Sequence, residues 1–321
     1  MKKLKSLLSR LLRNPSNRKF PVTQDKKNKK INLSRADLVR VDLRNTDFYE
    51  ANLSSINLRN SKLSEASFIW ADLNGANLTQ THLNLARFHY ASLLWTDLSE
   101  AILTEADFSC AELSQANLEA VDCAKAKLMG AVLDGANLTD GNFQGTNFFN
   151  ANLSNTNCIN ANFSDADLGL TRWDKAILSS ANLQSVNLAK ASLKQAILRN
   201  TNLIEAHLIG ANLTKGDLTG AIIRFAELDL AELDLANLDQ ANLSNADLSH
   251  SSLFGANLDG AILKGTKLLN TDLRQANLEN TNLEALDFSQ CEVEGAIFTD
   301  AQGLAPAQKK YLQNHGALNL S

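Results

Sequence analysis

The sequence predicts an all-β solenoid: a right-handed quadrilateral β-helix of about 13 coils, with a short helix at each terminus. The first observation is a five-residue unit in which a small residue stands two places before a large apolar one, as in Ala136-Asn137-Leu138. The second is that this large position recurs every five residues from Leu33 to Phe298, over 54 consecutive units. The third is that phenylalanines at this position favour a longer period of twenty.

A period of five excludes long regular elements. Five residues advance about 500° around an α-helix, so the leucines would surround it. On a straight strand, an odd period would send them to opposite faces. The chain must therefore turn once in every unit. Ala136 and Leu138 would point inward from a short extended segment, and the two residues after the leucine, mostly small or polar, would form the corner.

The phenylalanines indicate how many units complete one coil. Four units per coil would place several of them in one vertical column, where aromatic rings attract one another. Six of the nine phenylalanines at the large position are separated from one another by multiples of twenty residues: Phe48, Phe68, Phe88, Phe108, Phe148 and Phe288. We therefore predict a four-sided coil in which the first four of these rings are stacked.

The tandem triplets resemble the pentapeptide-repeat family, whose unit is Ala, then Asp or Asn, then Leu. Ala136-Asn137-Leu138, Ala211-Asn212-Leu213 and Ala241-Asn242-Leu243 carry the resemblance, which extends over residues 31–300. It implies a right-handed quadrilateral β-helix and a bacterial source, with cyanobacteria as a group in which such proteins are abundant. Some members of this family resemble DNA in shape and charge and bind type II topoisomerases, whereas others are interaction modules.

The N-terminal residues differ from the repeats. Residues 1–13 predict a basic amphipathic helix whose apolar stripe is Leu4, Leu7, Leu8, Leu11 and Leu12. This helix could cap the first coil, lie on an anionic membrane surface or occupy a groove on another protein. Residues 14–30 contain Pro15, Pro21 and a lysine-rich run, and they predict a flexible basic linker.

The residues after the repeats predict a helical cap over 301–321. Pro306 would lie in the first turn of a short helix, and Gly316 would follow its end. Leu304, Tyr311 and Leu312 give this helix an apolar side. An open β-helix end exposes core and unpaired backbone, so capping is the expected role. A homodimer contact through the C-terminal end is the alternative, because the topoisomerase-binding relatives use that end.

Charge is unevenly distributed along the chain. The net charge is −4, yet residues 1–30 contain eleven Lys and Arg against one acidic residue, Asp25. A basic arm next to an acidic repeat region suggests interaction. The lysine-rich run has no interleaved aromatic residues, which argues against direct nucleic-acid binding.

The sequence predicts neither an enzyme nor a cofactor or metal site. The five histidines are scattered, and none pairs with a cysteine or carboxylate at ligand spacing. A convex surface over a leucine-filled interior offers no pocket for a substrate. The four cysteines show no paired spacing, so we expect a reducing, cytoplasmic compartment.

The predicted corners also contain large side chains where small polar residues are usual. Large apolar residues at such positions suggest a protein contact. They could instead be scattered surface residues, or be covered by the N-terminal helix. We call this set the aromatic corner: Tyr49, Ile69, Trp70, His89, Tyr90, Trp95, Met129 and Phe149.

The sequence is therefore compatible with three functions. The first is a non-enzymatic scaffold that binds an unidentified protein partner through the aromatic corner. The second is a DNA-mimic inhibitor or protector of a type II topoisomerase such as gyrase, for which residues 226–240 supply an acidic segment whose columns are interrupted by Lys and Arg. The third is an adaptor tethered to a membrane surface by residues 1–13.

Overall fold

The computed structural model describes residues 23–24 and 30–320, so the predicted helix over 1–13 and nearly all of the linker lie outside the described residues. The chain divides into two compact units, residues 1–157 and 158–321. In each unit a residue forms a parallel bridge with the residue twenty places later, as in Asn52–Asp72 and Asn182–Asn202. A coil therefore contains four five-residue repeats, as the phenylalanine period predicted.

Few residues of the described chain belong to regular strands. The two strands are β1, Thr23–Gln24, and β2, Ile31–Asn32, which pair antiparallel. The sides of the coils are single-residue bridges separated by turns. The expected all-β solenoid is thus made of isolated bridges, because only one residue of each repeat pairs with both neighbouring coils before the chain turns again.

One repeat, Ala51-Asn52-Leu53-Ser54-Ser55, shows how the backbone is satisfied. The Ala51 N–H donates to the Phe48 carbonyl across the preceding turn (2.9 Å). The Asn52 N–H donates to the preceding coil, and those of Leu53 and Ser55 donate to the following coil, at 2.7–2.9 Å. The Ser54 N–H donates to the Asn52 side-chain oxygen (3.1 Å). All five N–H groups therefore have a partner, as buried backbone requires.

This arrangement explains the preference for Asn or Asp at the second position of the repeat. Their side-chain oxygen accepts a hydrogen bond from the backbone N–H two residues later, and that N–H has no backbone carbonyl as acceptor. At one repeat this position is Ser92, and Asn74 from the preceding coil accepts the Leu94 N–H instead (2.9 Å). The polar residue between the two inward-pointing side chains therefore stabilises the corner that follows it.

The fifth position of the repeat has a left-handed backbone conformation. Ser55, for example, has φ 55°, and its counterparts from Arg35 to Asp300 have similar values at every repeat except that of Gln290. Positive φ at the third residue of a four-residue turn is the pattern of a type II turn, which favours Gly or Asn there. Any other L-residue at this corner costs about 1 kcal/mol.

A matched pair of Ala→Gly substitutions tests this assignment. Ala120→Gly replaces a corner residue with φ 52° and is expected to stabilise the protein by about 0.5–1 kcal/mol, because glycine adopts this conformation freely. Ala116→Gly removes a buried inward-pointing methyl group and is expected to destabilise it by about 1–2 kcal/mol. Denaturant titration measures both, and equal signs for the two variants would contradict the assignment.

The interior of each unit is filled by the small and large positions of the repeat. In unit 1 the phenyl rings of four successive coils form a stack, with centroid distances of 5.1 Å for Phe48–Phe68, 4.7 Å for Phe68–Phe88 and 4.4 Å for Phe88–Phe108. The predicted column is therefore present. Unit 2 contains a buried Trp173 whose ring meets Phe163 edge-on, at 5.3 Å.

Helix α1, Pro306–Asn314, follows the last repeats of unit 2. Its Leu312 is fully buried, and its Tyr311 hydroxyl donates to the Ser289 carbonyl (3.0 Å). Beyond the helix, Leu318 forms a parallel bridge with Ile297. The helix and the residues after it thus lie against the final repeats of this unit.

Candidate protein-interaction surface

The aromatic corner lies on unit 1, at the turns that follow the phenylalanine column. Trp95, on the adjacent corner, is 68% exposed, the highest value among the large apolar side chains of the described residues. Ile69 and His89 are half-buried between coils. The other members of the set are exposed: Tyr49, Trp70, Tyr90, Met129 and Phe149.

Trp70 and Tyr90 form an aromatic platform at the centre of this surface. Their rings are stacked in successive coils, with centroids 4.5 Å apart and planes 11° from parallel. About half of each side chain is exposed. Both residues also occupy left-handed corners, with φ of 60° and 58°. The chain therefore keeps two bulky aromatic residues at positions where their backbone conformation is unfavourable.

Two further groups adjoin the platform. The His89 Nε2 lies 3.1 Å from a carboxylate oxygen of Asp107, whereas its buried Nδ1 has no hydrogen-bond partner among the described residues. Cys110 occupies the next place above Tyr90 in the same column and is exposed. The other three cysteines are buried, and burial raises the pKa of the Cys291 thiol to about 12. Cys110 is thus the accessible thiol of the chain.

An ion pair lies at the foot of this column. The Lys30 ammonium group is 2.6 Å from the Glu50 carboxylate, one coil below Trp70. The hydrogen bond from Lys30 lowers the pKa of Glu50, and the hydrogen bond to Glu50 raises the pKa of the Tyr49 phenol. The chain therefore enters the first coil with a basic residue held against this corner.

Some carboxylates in and beside the acidic segment of unit 2 have basic side chains within contact distance. The Lys267 ammonium group lies 2.9 Å from Asp247, while the imidazoles of His207 and His250 each lie 2.8 Å from a carboxylate of the segment. Burial alone would raise the pKa of Asp247, but hydrogen bonds from Ser249 and Lys267 outweigh it and lower that pKa. Basic side chains thus interrupt the negative surface.

Sequence reasoning missed one group of exposed apolar side chains. Phe225, Leu230 and Leu235 occupy three successive corners of unit 2 and are 46–58% exposed. They hold the left-handed fifth position of the repeat, as Trp70 and Tyr90 do. A search for large apolar residues at that position would have found them.

The described residues show two further features that bear on function. No cluster of His, Cys, Asp or Glu within residues 30–320 is arranged to hold a metal ion. No helix among the described residues is long and apolar enough to cross a membrane.

Comparison with protein families explains the repeat. The model of pentapeptide repeats matches eight times, at residues 29–64, 66–104, 96–119, 116–155, 156–195, 187–224, 231–270 and 261–300. The chain belongs to the pentapeptide-repeat family. Proteins of this family fold as right-handed quadrilateral β-helices and are generally non-enzymatic structural or interaction proteins.

Several solved structures resemble this pentapeptide-repeat protein. HetL from the cyanobacterium Nostoc sp. strain PCC 7120, involved in heterocyst differentiation regulation, is 29% identical over 84% of this chain and 91% of its own, with a TM-score of 0.23. The protein alr5209 from Nostoc is 31% identical over 32% of this chain and 84% of its own, with a TM-score of 0.28. QnrB1, a plasmid-mediated fluoroquinolone resistance protein, is 19% identical over 72% and 91% of the two chains, with a TM-score of 0.26. The search of curated proteins found no match.

Proposed function

We propose that this protein is a non-enzymatic scaffold that binds a protein partner through the aromatic corner of unit 1. The stacked Trp70–Tyr90 platform carries this proposal, because two large aromatic side chains are exposed at left-handed corners where the fold favours Gly or Asn. Exposed Trp and Tyr side chains are the residues that most often dominate the binding energy of protein interfaces.

The hydrogen bonding of the repeat supports this assignment. The Trp70 N–H donates to the His89 carbonyl (3.0 Å), so the backbone of this corner is satisfied without the side chain. The fold of this corner therefore does not require the indole ring. Four free thiols favour a reducing compartment, and a cytoplasmic location is part of the proposal.

A photocrosslinking experiment tests the proposal. A photoreactive phenylalanine analogue at position 70 is expected to capture a specific protein in the source organism. The matched control is position 85, where Leu85 is also exposed and left-handed but lies on another corner, in a column between Glu65 and Glu105. Capture of the same proteins at both positions would contradict the proposal.

Binding by the purified partner then measures the contribution of the platform. Trp70→Ser with Tyr90→Ser is expected to weaken binding about 30-fold or more, the effect typical of interface hot spots. Both residues are exposed and their N–H groups bond to the next coil, so circular dichroism should remain unchanged. Leu85→Ser is expected to leave affinity within about twofold. Equal affinity for the double variant and the wild type would exclude the platform as the binding site.

The DNA-mimic alternative predicts a different result. Mimicry of DNA requires continuous negative stripes, whereas His207, His250 and Lys267 pair with carboxylates of unit 2. We therefore expect micromolar protein to leave gyrase supercoiling unchanged. Inhibition that survives the Trp70→Ser and Tyr90→Ser substitutions would favour the mimic over the scaffold.

A further inference from the structure

We propose that the basic N-terminal segment, residues 1–13, folds back onto the aromatic corner of its own unit and covers it in the free protein. This would give the surface an occupant within the same chain. The covering itself does not depend on the proposed function, but a partner that uses the same surface would have to displace the segment.

The first argument is where the chain enters the repeats. Thr23 pairs with Asn32 and Gln24 pairs with Ile31, so β1 runs back along the side of the first coil. Lys30 is bonded to Glu50, one coil below Trp70 in the same column. Thr23 and Gln24 thus pair with the residues next to the aromatic corner, and Lys30 lies at its foot.

The second argument is length. Neighbouring coils are about 4.8 Å apart, so Tyr49 and Met129, four coils apart, are separated by about 19 Å along the column. A helix of the 13 residues predicted from the sequence is about 20 Å long. The nine residues 14–22 can span up to about 30 Å when extended, enough to bring that segment to the corner.

The third argument is complementary chemistry. The faces that flank the corner carry Asp47, Asp72, Asp107 and Glu112, with Arg87 and Lys127 as their basic residues. Residues 1–13 contain five Lys and Arg, no acidic residue and five leucines spaced to form one stripe. Leucines over Trp70 and Tyr90, with lysines and arginines over the flanking carboxylates, would bury the apolar area and pair the charges.

Cys110 supplies a reporter for this contact. It lies directly above Tyr90 and is exposed, whereas Cys123, Cys158 and Cys291 are buried, so a thiol reagent reacts with Cys110 in the folded protein. If the segment covers the corner, Leu8→Asp with Leu11→Asp in the full chain should accelerate maleimide labelling of Cys110 about tenfold. Ser6→Asp with Ser9→Asp adds the same charge off the leucine stripe and should change the rate less than about twofold.

Cross-linking identifies the occupant. In the full-length Leu8→Cys variant, a short bismaleimide at submicromolar protein should join the introduced thiol to Cys110 within one chain, giving a monomer whose linked peptides are found by mass spectrometry. A cross-link only between two chains would assign the surface to a second copy and overturn the proposal. Equal labelling rates for the Leu→Asp and Ser→Asp variants would also overturn the proposal. A third contradicting outcome is that the protein sediments with anionic vesicles and that Cys110 is labelled as fast in the wild type as in the Leu→Asp variant.

Because neither assay contains a partner, their failure is distinguishable from failure of the proposed scaffold function.

Discussion

Phe88→Ala is expected to destabilise unit 1 by about 3–5 kcal/mol, the cost typical of removing a buried aromatic side chain. The Phe88 ring is fully buried and lies between the rings of Phe68 and Phe108, at 4.7 and 4.4 Å. Its removal deletes the contacts on both faces and leaves a cavity between coils whose backbones are fixed by hydrogen bonds. The coils have little freedom to collapse into that space.

Phe88→Leu is the matched control. Leucine occupies 40 of the 54 large positions, so the coil accommodates it, and the expected loss is about 1 kcal/mol from the two stacked contacts. Guanidinium denaturation followed by circular dichroism measures both variants. A Phe88→Ala variant no less stable than Phe88→Leu would show that the column does not hold adjacent coils together.

Leu312→Ala is expected to destabilise unit 2 by about 2–5 kcal/mol and to loosen helix α1 from the last repeats. Leu312 is the fully buried residue of this helix. Polar contacts also hold the helix, among them the bond from the Tyr311 hydroxyl to the Ser289 carbonyl and one from the Gln308 amide to the Leu286 carbonyl. Once the helix is displaced, the backbone of the final coil is uncovered and can pair with another chain.

The control for this prediction is Gln313→Ala, an exposed position on the same helix, which should cost less than about 0.5 kcal/mol. Size-exclusion chromatography at several concentrations would detect association of the Leu312→Ala variant. If the wild type already associates and Leu312→Ala abolishes it, the C-terminal end is a dimer contact and the capping proposal is wrong.

The sequence predicted the coil because the period carries geometric information. An odd spacing of apolar residues requires a turn in each repeat, and the phenylalanines separated by twenty residues gave the number of sides. The stack from Phe48 to Phe108 confirms that count. Family membership was predicted from the same triplets and is confirmed by the repeat matches.

The roles of individual polar positions were not predictable at this level. The sequence assigned no role to the Asn or Asp at the second position of the repeat. In the structure, the Asn52 side chain accepts the Ser54 N–H, which has no backbone acceptor. That bond depends on the corner geometry, which spacing alone does not specify. The left-handed conformation of the fifth position was also not predicted from the sequence. Bulky residues such as Phe225 and Leu230 occupy this position despite the conformational free energy that it costs them, so residue type does not indicate it.

The aromatic corner illustrates a second limit. Most of its members could be grouped from the sequence because their numbers differ by about twenty. The stacked rings of Trp70 and Tyr90 show that two members of the group are in contact. What binds there could not be predicted, since exposed aromatic residues favour contact without specifying a partner. The scaffold role remains our proposal.

The closed hydrogen bonding of each repeat has a consequence for how such genes change length. Removing or duplicating one whole turn of twenty codons joins coils whose donors and acceptors still match, so the product can fold. Insertion or deletion of a single codon would instead move every later leucine out of its inward-pointing position. Descendants of this gene should therefore differ in size mainly by multiples of sixty nucleotides.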